Sequence, residues 1–377
     1  MNKEDYSACC QCVMDSEGNS GIILDNEGVC NFCHEYNEKS KIRLLKSPQR
    51  EQALDRLINQ IKLSGNKRKY DCIIGVSGGV DSTYVAYLVK QMGLRPLAVH
   101  FDNGWNSELA VDNIEKLLKK LDIDLFTYVV DWREFKSLQF AFLKGSTPDG
   151  EIPTDHGIYA CLYQIAAKFK IRFIIGGNNF KTEGVMPNSW AYGHLDWRYI
   201  KGVNRRFGNL PLKTFPHASI FKFLRYTYLS RIQFVSILNY VDYDRIKAIK
   251  FLKENLEWRS YGGKHYESLY TKYFQGYILP EKFGIDKRKI HLSALILSGE
   301  ITREQAMLEL KSPPINAEMK SEAIEYLTKK FEISDQELRE IMTSKIMSYA
   351  DYKNTSWVLK LLKNGLMYLR RKGLIPN

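Results

Sequence analysis

One stretch limits what this chain can fold into more than any other. Residues 70–76 form a short apolar run typical of a buried parallel strand. Residues 75–82 then read Gly-Val-Ser-Gly-Gly-Val-Asp-Ser, and a helical pattern follows at once from Thr83 to Met92. Glycines let the backbone turn sharply with its amides pointing inward, and the following helix adds the positive end of its dipole. Ser77 and Ser82 add hydroxyl donors, so strand, loop and helix together make a cradle for a phosphate chain. The loop is neither G-x4-G-K-[ST] nor G-x-G-x-x-G, which removes support for a kinase or a dehydrogenase.

The alternation continues beyond the loop. Pro96–Phe101 predicts a second strand, 107–121 a helix with Ile114, Leu117, Leu118 and Leu121 on one face, and 125–130 a third strand. A helix over 156–169 and a fourth strand over 172–175, ending in Gly176-Gly177, complete the pattern. The fold class expected is α/β, a doubly wound parallel sheet with ligands at the carboxyl ends of its strands. The sequence divides into a cysteine-rich segment 1–40, a linker helix in 41–68, a nucleotide-binding domain 69–200, a mostly helical region 201–310 and a helical tail 311–377. Residues 181–217 lack periodicity and read as loops over the sheet, and 219–241 as a helix.

Five of the seven cysteines fall within the first 33 residues. Cys9 and Cys12, then Cys30 and Cys33, form two C-x2-C pairs separated by seventeen residues, the spacing of a zinc ribbon. Each pair folds a knuckle that aims two thiolates at one tetrahedral ion. Four protein ligands leave no open position, so the Zn2+ expected here is structural. Cys10 and His34 sit beside the pairs and leave the ligand register open by one residue.

Composition adds a question of partners. The formal charge is +12, and residues 201–260 hold twelve Lys and Arg against four Asp and Glu, among eleven Phe, Tyr and Trp. Such a surface suits an anion: a nucleotide-sugar, an acidic protein, a membrane surface or tRNA. The N-terminus is polar, unlike a secretory signal, and the most apolar long stretch carries Lys222, Arg225 and Arg231. No transmembrane segment is expected, and the location expected is cytoplasmic.

The hexapeptide Ser77-Gly78-Gly79-Val80-Asp81-Ser82 resembles the PP-loop, S-G-G-x-D-S, of ATP pyrophosphatases, with their adenine nucleotide alpha-hydrolase-like fold. That resemblance implies ATP with its pyrophosphate on Ser77, Gly78, Gly79 and Ser82, and Asp81 on Mg2+. It also implies transfer of AMP to a substrate oxygen. His100-Phe101-Asp102 closes the second strand, where that family holds adenine and ribose, and Gly176-Gly177-Asn178 closes the fourth, where nucleotide approaches.

A closer resemblance runs through Cys9-x-x-Cys12-Val13-Met14-Asp15, Gly28-Val29-Cys30-Asn31-Phe32-Cys33, the PP-loop and Pro153-Thr154-Asp155-His156. Gly262-Gly263-Lys264-His265-Tyr266-Glu267-Ser268, Asp286-Lys287-Arg288 and Gly299-Glu300-Ile301-Thr302-Arg303-Glu304 continue it in order. Together these are similar to the N-acetyl sugar amidotransferases, which convert a sugar acetamido group to an acetamidino group in surface-polysaccharide biosynthesis. The resemblance implies a nucleotide-linked N-acetyl sugar as substrate. It also implies a separate glutaminase subunit and a barrel-shaped synthase-like subunit as the ammonia source.

Lys264 is then the candidate for phosphate charge, and Asp155 and His156 for positioning substrate or deprotonating ammonium, with helix capping by Asp155 equally open. Glu183 is a candidate for metal or substrate, and Trp190, Trp197, Arg198 and His265 for the sugar or nucleotide. PP-loop enzymes that thiolate tRNA are the alternative, and the basic charge and the ribbon suit them. Thiolation commonly uses two cysteines near the active site, however, and only Cys72 and Cys161 remain outside the ribbon.

Overall fold

The computed structural model describes residues 6–261 and 266–358. Its centre is one parallel sheet of five strands: β1 (Cys72–Gly75), β2 (Pro96–Asp102), β3 (Asp124–Val129), β4 (Phe173–Gly176) and β5 (Gln233–Ser236). The order is β3-β2-β1-β4-β5. Gly75 pairs with Val99 on one side, and Ile74 with Ile175 on the other. The chain therefore leaves β1 in one direction and returns to it from the other at β4. A crevice opens at that reversal, outside the carboxyl ends of β1 and β4.

Adjacent residues of the central strands point to opposite faces. Ile73, Val99 and Ile174 pack into one core, Ile74, Ala98 and Ile175 into the other. Two helices, α1 (Asn31–Arg43) and α2 (Gln49–Ser64), precede the sheet. Crossovers then place α3 (Val80–Gln91) after β1, α4 (Glu108–Leu121) after β2, and α5 (Trp132–Lys144) and α6 (Ile152–Lys168) before β4. Val85 and Val89 of α3 and Ile114 and Leu117 of α4 cover one face; Leu138 of α5 and Leu162 and Ile165 of α6 cover the other. Each such fully buried side chain stabilises by roughly 1.5–3 kcal/mol. The sheet is doubly wound, as the alternation predicts.

The region after β4 differs from the sequence reading in two places. Residues 181–217 are not all loop: α7 (Phe180–Glu183) is followed by α8 (Trp197–Phe207), whose start is capped by Asp196 accepting from the amides of Arg198 and Tyr199 at 3.0 and 3.1 Å. Residues 219–241 are not one helix. The short α9 (Ile220–Leu224) runs into a π-helical turn, Arg225–Leu229, and Arg231 then adopts a φ of +52° that ends the helix. Residues 233–236 extend to pair with β4, Gly176 beside Ser236. The open edge of β4 satisfies its backbone groups with this strand, and that long-range gain overrides local helical pattern.

The chain continues through α10 (Arg245–Leu256), α11 (Leu269–Tyr273), a π-helical segment Phe274–Phe283, α12 (Arg288–Leu297), α13 (Arg303–Leu310), α14 (Ala317–Phe331) and α15 (Asp335–Thr343). Among the described residues no helix is long and apolar enough to cross a membrane.

The N-terminal segment is built into this frame. Lys289 of α12 pairs with Asp15 and Glu17 at 2.5 and 2.6 Å, and Arg303 of α13 donates to the carbonyls of Cys12 and Cys9. On its other side Tyr36 of α1 stacks on Phe180 of α7 at 4.8 Å and donates to the Lys181 carbonyl.

Candidate active site and metal centre

At the end of β1 the loop tightens around its own hydroxyls. The Ser77 and Ser82 Oγ atoms lie 3.1 Å apart, and the Gly79 amide donates to Ser77 Oγ at 3.3 Å. Gly78 has a φ of +80°, and a Cβ there would stand 2.6 Å from the Ala110 carbonyl oxygen. Its own carbonyl is turned outward, accepting from Trp258 Nε1 and Tyr261 Oη, each at 2.8 Å. Gly177, after β4, fits because a Cβ would stand 3.0 Å from the Ser82 nitrogen. Only glycine lets β4 approach the first turn of α3 this closely.

These residues face a cleft of about 440 Å³ lined by Ser77, Gly79, Asp81, Ser82, Gly177, Asn178 and Glu183. Four of its walls were not foreseen: Arg245 from α10, then Trp258, Tyr261 and Glu267. The Asp81 carboxylate accepts from Tyr243 Oη, and burial beside that carboxylate pushes the Tyr243 phenol well above its usual range. Among the described residues Arg245 Nε has no hydrogen-bond partner although it is buried. No local signal marks Arg245, Trp258 or Tyr261, which come from in or beside the stretch read only as basic and aromatic, whereas Glu267 lies in the segment 262–268 that carries the family resemblance. Tyr261 is fixed by Asn113 of α4, which donates to its Oη at 2.8 Å. The Glu267 carbonyl accepts from the Ser107 amide at 2.9 Å, which docks 266–269 on the loop after β2.

A carboxylate group lies one turn along α6 from Ile158, which also lines the cleft. Asp155 is solvent-accessible on α6, although protein atoms crowd around its carboxyl group. Its carboxylate accepts no hydrogen bond from the described residues. Burial, reinforced by Asp149 and Glu151 and opposed by Lys287, holds its pKa well above the usual carboxylate range. Asp149 is pushed up to about 6, first by burial and then by Glu151. Lys287 Nζ lies 3.0 Å from Glu151, and Gln275 Nε2 donates to the same oxygen at 2.8 Å. Burial alone would lower the Lys287 pKa, but the surrounding carboxylates outweigh it and raise it. Three acids thus face one buried cation.

The other candidate residues separate. His100 Nδ1 is 2.9 Å from the Val76 carbonyl and Nε2 is 3.1 Å from Asn106, so the ring ties β2 to β1. Asp102 accepts from the Gly104 amide and Asn106, shaping the loop beside the cleft. Phe101 points to the opposite face, where its ring fills the space left by Gly157. A Cβ on Gly176 would stand 2.4 Å from the Phe234 ring, so this glycine serves packing against β5.

His156 is fully buried. Its Nδ1 meets the His194 carbonyl at 2.7 Å and its Nε2 accepts the Ala218 amide at 3.2 Å. Burial lowers its pKa to about 4, and the neutral ring has no lone pair left for a proton from substrate. Trp190 is buried and donates to the Gly18 carbonyl at 2.8 Å. Trp197 stacks on His217 at 4.2 Å, while Arg198 is exposed and lines a different depression. Lys264 and His265 lie outside the described residues.

The cysteine cluster is compact. Sγ atoms of Cys9, Cys12, Cys30 and Cys33 all lie within 4.8 Å of one another, and all four residues are buried. Cys9 to Cys33 and Cys12 to Cys30 are each 3.7 Å, and Cys30 to Cys33 is 3.6 Å. A tetrahedral ion with Zn–S bonds of about 2.3 Å requires edges of about 3.8 Å, so the donor set fits zinc. Amides of Cys12 and Cys30 donate to Cys9 Sγ and that of Met14 to Cys12 Sγ, which orients the sulfurs. Cys10 faces the Glu27 carbonyl and His34 pairs with Asp25, both on the surface, so the register left open by the spacing closes on the four buried thiols.

Comparison with known proteins gives matches to two parts of the chain. Residues 267–364 match the family described as LPS biosynthesis protein WbpG-like, C-terminal domain, and residues 71–149 match queuosine biosynthesis protein QueC. Two curated relatives are tRNA-specific 2-thiouridylases MnmA. That of Desulfosudis oleivorans is 36% identical over 83 residues, 20% of this chain and 22% of the relative. That of Karelsulcia muelleri is 24% identical over 151 residues, 37% of this chain and 38% of the relative. The chain thus spans between a fifth and two-fifths of the length of the curated relatives it matches. Among solved structures, the NH3-dependent NAD synthetase from Campylobacter jejuni aligns with 17% identity and a TM-score of 0.29, over 71% of this chain and 99% of that one. The QueC match contains the strand, loop and helix around Ser77–Ser82, the segment that resembles a PP-loop.

Proposed function

We propose that this chain, which matches a WbpG-like C-terminal domain over 267–364 and QueC over 71–149, is a PP-loop protein of N-acetyl sugar amidotransferase type: an ATP-dependent, AMP- and pyrophosphate-forming carbon–nitrogen ligase. Its substrate is an acetamido sugar, carried on a nucleotide, and its product the acetamidino sugar. The observation that carries this reading is one cleft with two walls. The PP-loop forms one, and Glu267, the first residue of the WbpG-like match, stands on the other, while Asp155 lies one helical turn before Ile158 of the lining.

An acetamido carbonyl is a poor electrophile and its oxygen a poor leaving group. Attack of that oxygen on the α-phosphorus of ATP expels pyrophosphate and leaves an O-adenylated imidate. Ammonia then adds to the imidate carbon, AMP departs with the C–O bond, and loss of a proton gives the amidine. Pyrophosphate charge is held by the loop amides, the α3 N-terminus and the guanidinium of Arg245. Mg2+, for which Asp81 and Glu183 offer carboxylate oxygens in the cleft, would supply further neutralisation. Tyr243 orients Asp81 for that task.

Ammonia enters as ammonium, and the acids at 149–155 suit its arrival. Asp149, Glu151 and Asp155 attract the cation, and Asp155, whose carboxylate accepts no hydrogen bond from the described residues, takes its proton. The ammonia comes from a separate glutaminase subunit docked with a barrel-shaped synthase-like subunit. Outside the ribbon Cys72 and Cys161 are both buried, and burial raises both thiols, so neither offers a glutaminase nucleophile. The same two burials count against thiolation, the reading that the MnmA relatives would favour.

The test incubates the zinc-loaded protein with ATP, Mg2+, ammonium and nucleotide-linked N-acetyl sugars. The expected outcome is release of AMP and pyrophosphate only with sugar and ammonium together, and a product mass showing oxygen replaced by NH. Asp155→Asn is expected to lower the ammonium-dependent rate by about 10²-fold or more. Pyrophosphate release that requires tRNA and a sulfur donor would overturn the proposal in favour of thiolation.

A further inference from the structure

A second depression of about 760 Å³ shares no lining residue with the ATP cleft. It lies between α8, the turn at 219–221 and the segment 351–355. Arg198, Lys201 and Arg205 fall at positions i, i+3 and i+7 of α8, all exposed on one face, and Arg206 and Lys353 join them. Two acids share the depression, and both are committed elsewhere. Asp196 is buried and accepts from three backbone amides and from Tyr349 Oη. Asp351 caps Ser348, accepting from its amide at 2.7 Å and its hydroxyl at 2.8 Å. Among the described residues no ion pair within 4 Å neutralises these five cations.

Apolar side chains stand in the open at the depression and on the chain segments that continue from it. Phe221, which lines the depression, is 70% exposed, and Tyr228 and Leu229 on the adjoining turn are 66% and 78% exposed. They alternate with the exposed cations Lys222, Arg225 and Arg231. Trp357, two residues beyond the lining residue Thr355, is 56% exposed. The sequence that follows, 359–377, adds five Lys and Arg and no Asp or Glu. Whatever its position, it cannot supply the missing negative charge.

We propose that this face docks on the surface of an anionic phospholipid bilayer. The α8 cations and Lys353 meet lipid phosphates, and Phe221, Tyr228, Leu229 and Trp357 enter the boundary between headgroups and acyl chains. Cations alone would suit any polyanion, and aromatic rings beside them would suit RNA bases. An aliphatic side chain as exposed as Leu229 gains nothing from a base, whereas the acyl boundary accepts it. The proposal is independent of the reading of the ATP cleft.

Flotation of the full zinc-loaded chain with vesicles of phosphatidylcholine, with and without phosphatidylglycerol, tests it. Binding is expected to the anionic vesicles alone. Lys201→Glu with Arg205→Glu should weaken it by more than about fivefold for each site changed. Phe221→Ser with Leu229→Ser leaves the net charge intact and should still weaken binding by about tenfold. Circular dichroism should be unchanged in both variants, since all four side chains are exposed. Absence of flotation, or an apolar double variant that binds like the parent, overturns the proposal. So does tighter binding to tRNA than to vesicles that the same charge reversals abolish.

Discussion

Replacing Asp149 by Asn should make the protein more stable at neutral pH while weakening the use of ammonium. Asp149 is 4% exposed and its Oδ2 accepts the Tyr192 amide at 3.0 Å, a bond that an Asn amide oxygen retains. Its pKa is raised from 3.8 to about 6, mainly by burial. Between these two values the folded chain binds more protons than the unfolded chain, so stability falls as pH rises through this window. The shift corresponds to a penalty of about 3 kcal/mol at pH 7.5, of which only about 1 kcal/mol is felt near pH 4.5. Asn carries none of it. Urea unfolding of parent and Asp149→Asn is therefore expected to show a gain for the variant that grows by about 2 kcal/mol between those pH values. A gain equal at both pH values, or a variant less stable at pH 7.5, would refute the electrostatic account. A stability cost retained in this way fits a group kept for function, and the variant should show a higher KM for ammonium with the KM for ATP unchanged.

Other outcomes follow from the same geometry. Gly78→Ala combines a φ of +80° with a contact of 2.6 Å to the Ala110 carbonyl; it should cost at least about 2 kcal/mol in thermal unfolding and abolish stabilisation by ATP. Cys12→Ser should lose bound zinc by elemental analysis and unfold more readily, whereas Cys10→Ser should keep both metal and stability. Chelation should also weaken ATP-dependent stabilisation, because Tyr36 of α1 packs on α7, which carries Glu183. Tyr243→Phe should leave the fold intact, because the ring packing remains, and raise the Mg2+ concentration needed for pyrophosphate release several-fold.

The two C-x2-C pairs and the strand–loop–helix around Ser77 were legible in the sequence because each is a local device: a few adjacent residues fix the backbone, and the chemistry follows. The same holds for β1, β2 and β4, whose residues are apolar on both faces and need no partner to be recognised as buried strands. β5 was not legible, since Gln233–Ser236 becomes a strand only against the free edge of β4. His156 looked like a base beside Asp155, yet a helix turns successive residues by about 100°, so the two side chains leave α6 in different directions. One reaches the charged group of Asp149, Glu151 and Lys287, and the other a packed cluster of Trp197, Phe215 and Phe223.

Neighbours along the chain were thus enough for the glycine–serine loop after β1, the four thiols and the alternating sheet. Only the tertiary structure decided what surrounds them. It brought Tyr243 and Arg245 to the loop from more than 150 residues away, gathered Asp149, Glu151 and Asp155 around Lys287, and clamped the ribbon with Arg303. These contacts depend on how helices pack on a sheet, and the energy of a buried charge depends on every group around it. Neither quantity is written in any local run of residues.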